Sequence, residues 1–206
     1  MKALFPRLAA CLGLALAAAA SLPGQLAPDR GRFLVASESL GDPNFYQTVV
    51  LMLDYNETGA LGLIVNRPTE VRLAELFSNT AALTKRSERV YLGGPVERDK
   101  VLLLLRHRGP AKGFEHVLGD LYSGGDMQTL AVLLESDEPP DAVRGYAGYA
   151  GWGAGQLDDE IEQGAWLVVK ALPEQVFDPK PELLWRRLFD GAQVRFAGLG
   201  PSASAR

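Results

Sequence analysis

Residues 66–69, Asn-Arg-Pro-Thr, combine side chains that can bind an anion. The apolar residues 60–65 before them predict a strand, and Thr69 can cap a helix whose apolar residues repeat at helical spacing. A strand end followed by a helix start would bring a guanidinium, a side-chain amide and free backbone N–H groups together, which suits a carboxylate or a phosphate. The alternative is structural: Asn66 would take a left-handed turn conformation, and Arg67 would pair with an acidic neighbour.

Asp42 and Asn44, in the segment Asp-Pro-Asn-Phe, leave the same choice open between a ligand site and a structural turn. Asx side chains around a proline usually hold a turn, and Phe45 would then contribute to the core. Glu160 lies in an acidic stretch after a glycine-rich turn, where carboxylates complement the positive end of a helix dipole or, alternatively, hold a cation. These carboxylates would repel phosphate, and the glycines between 145 and 155 lack the spacing of dinucleotide-binding and Walker loops.

Residues that could catalyse a reaction are sparse. The chain has two histidines, His107 and His116, and one cysteine, Cys11, which lies in the N-terminal leader. No Gly-x-Ser-x-Gly turn is present, and two histidines nine residues apart without an HExxH motif make a weak metal site. The sequence therefore predicts no catalytic residue set, no metal site and no cofactor.

The N-terminal leader, residues 1–20, has the layout of a secretory signal peptide. Two basic residues are its only charges, its second part is rich in Ala and Leu, and Ala18 and Ala20 precede a cleavage point before Ser21. This layout predicts a periplasmic or secreted protein. The alternative is a start codon placed too far upstream, with a cytoplasmic protein that begins near Gly31.

The chain without its leader has the size and charge of one acidic domain. Of its 186 residues, 19 are Lys or Arg and 25 are Asp or Glu, which gives a net charge of −6. We expect a single domain over residues 31–198 and a flexible tail over residues 199–206. Direct nucleic-acid binding is disfavoured because the basic residues form only short groups. The domain also lacks an apolar run long enough to span a membrane.

Hydrophobic patterns predict strands that alternate only partly with helices. We expect strands at residues 32–36, 46–55, 60–65, 90–92, 101–105, 114–118, 143–150 and 165–169, and helices at 69–77, 126–135, 156–163 and 181–190. The second and third strands should form a tight hairpin, and strand 114–118 should pair with strand 101–105. Gly62 within the hairpin suggests a bulge or a close backbone approach. The pattern favours an α+β fold with a mixed, largely antiparallel sheet curled into a pseudo-barrel with flanking helices.

Several ordered blocks give the chain a resemblance to the YqgE/AlgH family of bacterial proteins. The blocks are Phe33-Leu34-Val35-Ala36, Asp42-Pro43-Asn44-Phe45, Thr48-Val49-Val50-Leu51, Gly59-Ala60-Leu61-Gly62, Asn66-Arg67-Pro68, Gly93-Gly94-Pro95-Val96, Gly145-Tyr146-Ala147-Gly148, Trp152, Gly155-Gln156-Leu157, Glu160-Ile161 and Ala165-Trp166-Leu167. The resemblance implies a compact α+β fold with a bifurcated pseudo-barrel sheet and implies no established enzymatic activity. One branch of the family is named as a proposed transcriptional regulator of alginate production. Members often carry histidines where this chain has Tyr55 and Leu105, so a histidine mechanism does not carry over.

The family blocks concentrate in turns, where functional residues more often lie than in strands. Our first hypothesis is therefore a non-catalytic regulatory or ligand-binding module for a small anionic ligand or a protein partner. Its expected site comprises Asn66, Arg67, Thr69, Gly93, Gly94, Pro95, Trp152 and Gln156, with Asp42, Asn44 and Glu160 as secondary candidates. The second hypothesis is a hydrolase-like enzyme with a carboxylate or histidine general base. The third is a regulator that binds DNA directly.

Overall fold

The computed structural model describes residues 25–77, 83, 87–124 and 126–198, with side chains as far as Val194. The leader at residues 1–20, most of the predicted polar connection 79–89, Gly125 and the tail at residues 199–206 lie outside the described residues. The predicted signal peptide and flexible tail stay predictions for this reason.

The described part of the chain forms ten strands and five α-helices. The strands are β1 (Arg32–Ala36), β2 (Val49–Asn56), β3 (Gly59–Ile64), β4 (Pro68–Arg72), β5 (Arg89–Leu92), β6 (Val96–Arg106), β7 (Phe114–Leu118), β8 (Leu121–Gly124), β9 (Ala142–Gly153) and β10 (Trp166–Lys170). The helices are α1 (Leu73–Leu76), α2 (Met127–Leu134), α3 (Gln156–Glu162), α4 (Pro173–Val176) and α5 (Leu184–Gly198), the last preceded by a 3₁₀ turn at Pro181–Leu183.

One ten-stranded sheet contains all of these strands and forks at β9. Its main path runs β10-β1-β2-β3-β9-β6-β8-β7. Gly145–Ala147 of β9 pairs in parallel with β5, whereas residues 150–153 pair with β3, and β6 lies antiparallel to β9. β4 extends the branch by pairing with β5. The sheet is antiparallel apart from β5 and β9, and it curls into a half-barrel, which confirms the predicted α+β class.

The segment before β1 lies against β7, at the other end of the strand order. The guanidinium of Arg30 donates to the carbonyl of His116 over 3.1 Å. Gly31 has a φ of 72°, and a Cβ built on it would lie 3.0 Å from the carbonyl oxygen of Val117. This close approach requires glycine, and it shows how the curl of the sheet brings the two ends near each other.

The hairpin of β2 and β3 forms as predicted. The apolar run of residues 49–53 is buried throughout, which confirms that β2 is covered on both faces. The register passes from Met52 opposite Gly62 to Asp54 opposite Leu61, so one extra residue bulges out of β2. A Cβ on Gly62 would also lie only 2.9 Å from a backbone oxygen of β2, so both suggestions about this glycine are confirmed.

Residues 68–72 are a strand, and the prediction of a helix capped by Thr69 is wrong. The hydroxyl of Thr69 donates to the carbonyl of Val90 and accepts from the N–H of Val71. The backbone then pairs with β5, and α1 begins only after Arg72. The apolar residues of this segment repeat at helical spacing, but pairing with β5 gives its backbone N–H and C=O groups hydrogen-bond partners. A short isolated helix would leave many of these groups without partners, so the strand is favoured.

The prediction that β7 pairs with β6 is also wrong. β8 lies between these strands and pairs with both. The short sequence Leu-Tyr-Ser-Gly of β8 did not stand out as a strand, yet it follows a tight turn at Gly119, whose φ is 56°. A hairpin of β7 and β8 therefore completes this end of the sheet.

Two of the predicted helices begin and end nearly as expected, and two short elements besides β8 were missed. Asp126 caps α2 by accepting from the N–H of Thr129 over 2.7 Å. α3 ends at Glu162, and Gly164, which follows its C-cap residue, has a φ of 76° that allows the chain to leave the helix. The sequence analysis did not predict α4 or β4. No helix in the described ranges is long and apolar enough to cross a membrane.

Candidate functional site

The loop at residues 42–47 is fixed by hydrogen bonds to all of its last four carbonyl groups. Arg67 donates from Nη1 to the carbonyl of Asn44 over 2.6 Å and from Nη2 to that of Tyr46 over 2.9 Å. The hydroxyl of Thr48 donates to the carbonyl of Phe45, and the side chain of Asn66 donates to that of Gln47. The 42–47 loop is therefore rigidly positioned before any ligand arrives.

Asn66 is a structural residue in this arrangement. Its side chain is buried, its Oδ1 accepts from the N–H of Val49 over 2.9 Å, and its Nδ2 donates to the carbonyl of Gln47 over 2.9 Å. Asn66 does not adopt the left-handed conformation that one interpretation expected; Gln47 does, with a φ of 52°. The amide of Asn66 thus stabilises a strained residue next to the loop.

Arg67 is half-buried and binds backbone carbonyl groups instead of a carboxylate. Among the described residues, no acidic side chain forms an ion pair with it, so the expected pairing with an acidic neighbour is wrong. Burial lowers the pKa of the Arg67 guanidinium, the nearby cation Arg98 lowers it further, and Asp42 acts in the opposite direction. The site therefore holds two like charges close together.

Arg98 lies on a bulge of β6 that faces the 42–47 loop. Val96 pairs with Tyr149 and Val101 pairs with Ala147, so residues 97–100 bulge out opposite the single residue Gly148. The Nη2 of Arg98 donates to Oδ1 of Asn44 over 3.4 Å. Arg98 is not among the site residues predicted from the sequence. The charged run Glu-Arg-Asp-Lys next to an apolar strand is, however, a pattern that indicates such a bulge.

Backbone strain is concentrated at these two segments. In the described part of the chain, Gln47 and Glu97 are the non-glycine residues with positive φ, at 52° and 48°. Gln47 ends the 42–47 loop, and Glu97 precedes Arg98. Residues held in such conformations cost about 1–3 kcal/mol each and occur preferentially at functional sites.

The Gly93-Gly94-Pro95 turn supports this region from behind. The carbonyl of Gly93 accepts from the N–H of Ile64 over 2.8 Å, and its N–H donates to the carbonyl of Ala147 over 2.9 Å. A Cβ on Gly94 would collide with the carbonyl group of Tyr149. Both glycines are therefore needed where β3, β5 and β9 meet, and they act in packing.

Trp152 and Gln156 belong to a partly buried hydrogen-bond network centred on Glu160. The indoles of Trp152 and Trp166 both donate to Oε2 of Glu160, over 2.9 and 2.8 Å, and Gln156 donates to Oε1 over 2.9 Å. The ring of Phe45 contacts both indoles, with centroids 6.2 Å from Trp152 and 5.4 Å from Trp166. Phe45 therefore joins the 42–47 loop to this network.

The structure brings some of the expected site residues together and separates others. Asp42, Asn44, Asn66 and Arg67 meet at the 42–47 loop, and Trp152, Gln156 and Glu160 lie behind it through Phe45. The Gly-Gly-Pro turn supports the same region, whereas Thr69 faces β5. No helix begins at residue 69, so the backbone N–H groups of a helix start are not available to an anion there. The anion-binding interpretation therefore rests on the guanidinium groups.

The possible general bases are committed to hydrogen bonds. His107 is buried, and its two ring nitrogens lie 2.7 and 3.0 Å from the carbonyls of Gly109 and Glu138. His116 lies 2.9 Å from the carbonyl of Gly119. Tyr55 donates to Asp158 over 2.7 Å, and this bond raises the pKa of its phenol. Within the described ranges, no cluster of three potential metal ligands occurs.

Comparison with known proteins gives consistent matches over most of the chain. The family model described as AlgH-like matches residues 33–197. A UPF0301 protein of Streptomyces coelicolor is 42% identical over 165 residues, which cover 77% of this chain and 83% of the relative. A UPF0301 protein of Chlorobaculum tepidum is 39% identical over 158 residues, covering 76% and 83%.

Two solved structures share the fold. The AlgH protein from Pseudomonas aeruginosa, solved in solution, aligns with a TM-score of 0.63 and 30% identity over 88% of this chain and 99% of its own. A crystal structure of a protein from Corynebacterium diphtheriae aligns with a TM-score of 0.69 and 25% identity over 80% and 87%.

Proposed function

The chain belongs to the AlgH-like family, and on this premise we propose that it is a non-catalytic ligand-binding module that captures a small anion. The names of its relatives state no reaction, so the proposal rests on the site itself. The ligand group is a carboxylate or a phosphate, and it binds between the guanidinium groups of Arg67 and Arg98.

The observation that carries this proposal is the sharing of Asn44 by two arginines. Arg67 donates to the backbone carbonyl of Asn44, and Arg98 donates to its side chain. Neither forms an ion pair with a carboxylate in the described part of the chain. Two neighbouring cations, one of them half-buried, repel each other, and an anion placed between them would remove that repulsion. Arginine is also the residue best suited to bind carboxylate and phosphate through two hydrogen bonds.

The rigidity of the 42–47 loop supports binding rather than chemistry. A site whose groups are already fixed loses little conformational entropy when a ligand binds. The carboxylate of Glu160 accepts from two indoles and from the amide of Gln156. Asp42 is exposed and uses only Oδ1 in its contacts with Asn44, so it can still bind a ligand, but the structure places no nucleophile of the described residues against it. A general base would need a reacting group within hydrogen-bond reach, so these contacts do not favour the hydrolase alternative.

A regulatory role through direct DNA contact is not supported by charge. The chain without its leader carries a net charge of −6, and proteins that depend on phosphate contacts are expected to be basic. We propose instead that a regulatory role would act through the bound ligand, whose binding would stabilise the folded protein. Gel-shift complexes that weaken steeply with added salt would contradict this view.

The proposal can be tested by calorimetric titration of the whole mature chain with inorganic phosphate and with acetate. We expect at least one of these anions to bind, and Arg98→Gln to weaken that binding about tenfold, since it removes a charge-assisted hydrogen bond. The matched control is Arg108→Gln, which removes an arginine that is 89% exposed and lies away from the site. Absence of binding by both anions, or an equal loss in both variants, would refute the proposal.

A further inference from the structure

Asn44 holds an acidic and a basic side chain apart at the proposed site. Its Nδ2 donates to Oδ1 of Asp42 over 3.0 Å, and its Oδ1 accepts from Nη2 of Arg98 over 3.4 Å. Asp42 and Arg98 therefore each contact one end of the same amide. Among the described residues they form no ion pair with each other, so both charges stay available to a ligand.

The neighbouring charges do not neutralise this arrangement. Glu97 lies beside Arg98 in sequence, but its carboxylate pairs with Lys100 over 2.8 Å. Asp42 is exposed, and it is the carboxylate whose field reaches Arg67. The site thus presents the cation of Arg98 at the oxygen of the Asn44 amide and the anion of Asp42 at its nitrogen, with the guanidinium of Arg67 at the backbone carbonyl of the same residue.

From this arrangement we infer that the anion bound at the site is the carboxylate of a zwitterion, a free α-amino acid. Its carboxylate lies against Arg98 and Arg67, and its ammonium group donates to Asp42. The inference rests on the proposed function, because it assigns the ligand class of the same site. In an α-amino acid the nitrogen and the carboxylate oxygens are three bonds apart, against two bonds for the nitrogen and oxygen of an amide, so the two charged groups of such a ligand span somewhat more than the Asn44 amide does. Such a ligand can therefore lie alongside Asn44 and reach both charged partners.

A simple anion fits this site less well than a zwitterion. A phosphate or a plain carboxylate would gain the attraction of the two arginines but would also meet the repulsion of Asp42. A zwitterion converts that repulsion into a second charge-assisted hydrogen bond. The discrimination between the two ligand classes therefore comes from Asp42.

The test compares ligands that differ by one charged group. Alanine, propionate and ethylamine share a similar size, and their binding to the whole mature chain is measured by calorimetry and by NMR titration. We expect alanine to bind at least about tenfold more tightly than propionate or ethylamine, as one additional charge-assisted hydrogen bond requires.

Two variants assign the effect to residues. Asp42→Asn keeps an oxygen that can accept from Asn44, and it should weaken alanine binding about tenfold while leaving propionate binding unchanged or stronger. Arg98→Gln should weaken the binding of both alanine and propionate. The control is Asp137→Asn, an exposed aspartate in the loop after α2, which should change neither.

The outcomes separate this inference from the proposed function. Propionate binding that depends on Arg98, without any preference for alanine, would overturn the inference that the ligand is a zwitterion and would leave the proposed anion site intact. Failure of every ligand to bind would overturn both. The comparison of alanine with propionate on the unaltered chain decides the inference even if Asp42→Asn does not fold.

Discussion

Adjacent residues at the candidate site have different roles that their types alone do not reveal. Asn66 is buried, and both ends of its amide bind backbone groups, so it is unable to contact a ligand. Arg67 is half-buried, and its two carbonyl contacts leave further N–H donors of the guanidinium free. A polar side chain in a motif that resembles a binding site can therefore use all of its hydrogen-bonding groups to support a loop.

Tyr146 is a second residue whose environment sets its chemistry. Its ring is fully buried beside Tyr91, and its hydroxyl makes no hydrogen bond of normal geometry among the described residues, although the guanidinium of Arg144 is close enough to act on it. Burial raises the pKa of Tyr146 to about 12, although the nearby Arg144 opposes this shift. The unfolded phenol ionises near its ordinary pKa of about 10. Below pH 10 both states keep the phenol neutral, so stability does not depend on its ionisation there; as the pH rises from 10 towards 12 the unfolded state ionises first, and the free energy of unfolding falls.

We predict that Tyr146→Phe lowers the alkaline sensitivity of the protein. At neutral pH the variant should be as stable as the parent or more stable by up to about 1 kcal/mol, because it removes a buried hydroxyl that lacks a partner. Between pH 10 and 12 the free energy of unfolding should fall less steeply than in the parent. Urea unfolding at a series of pH values measures both effects.

Tyr46→Phe is the control for this experiment, since it removes a hydroxyl from a side chain that is 62% exposed. It should leave the alkaline loss of stability unchanged. If Tyr146→Phe instead destabilises the protein at neutral pH, the hydroxyl has a partner in solution, and the explanation by burial is wrong.

At the scale of elements, one carboxylate joins a helix to two strands. Glu160 on α3 accepts from Trp152 at the end of β9 and from Trp166 at the start of β10. The same indoles contact Phe45, so the position of α3 also affects the 42–47 loop. The acidic first turn of α3 was expected to complement the helix dipole, but Glu160 lies further along and has this separate structural role.

We predict that Glu160→Ala destabilises the protein by about 2–4 kcal/mol, because it leaves two indole N–H groups without acceptors. Chemical unfolding followed by tryptophan fluorescence should show the loss. Glu162→Ala changes an exposed glutamate on the same helix and should stay within about 0.5 kcal/mol of the parent. Equal stability of the two variants would mean that the indoles find other acceptors.

At the scale of the whole molecule, the forked sheet brings distant parts of the chain to one place. The 42–47 loop precedes β2, Arg67 follows β3, and Arg98 lies on β6, yet all three contact Asn44 or belong to its loop. β9 makes this possible because it pairs with β3, β5 and β6 along its length. The proposed site is therefore a product of sheet topology rather than of one motif.

The N-terminal leader, residues 1–20, predicts where the native protein begins and where it is found. We propose that residues 1–20 direct export and are removed, so the native protein should begin at Ser21 and be found outside the cytoplasm. Mass spectrometry and N-terminal sequencing of protein purified from its natural source measure this directly. A native N-terminus near Gly31, with the protein in the cytoplasm, would favour the upstream start codon instead.

The strands that are buried on both faces were predictable, because an apolar run of strand length has few other possible structures. β1, β2, β6 and β10 follow such runs, and α2 follows a capping Asp and a helical pattern. The exposed segment 68–72 was not predictable in this way, since its partner β5 lies about 20 residues later in the sequence. β8 was missed for a different reason, because four residues carry too little periodicity to identify a strand.

The sequence by itself determined the fold class, the family and the residue types at the turns. Local periodicity and ordered blocks are properties of the chain that need no contacts to be recognised. Only the tertiary structure decided which of these residues support the loop and which stay available. Hydrogen bonds such as those of Asn66 to Gln47, and charges such as those of Arg67 and Arg98, depend on distances between segments that are far apart in sequence. Those distances arise from the pairing of strands around β9.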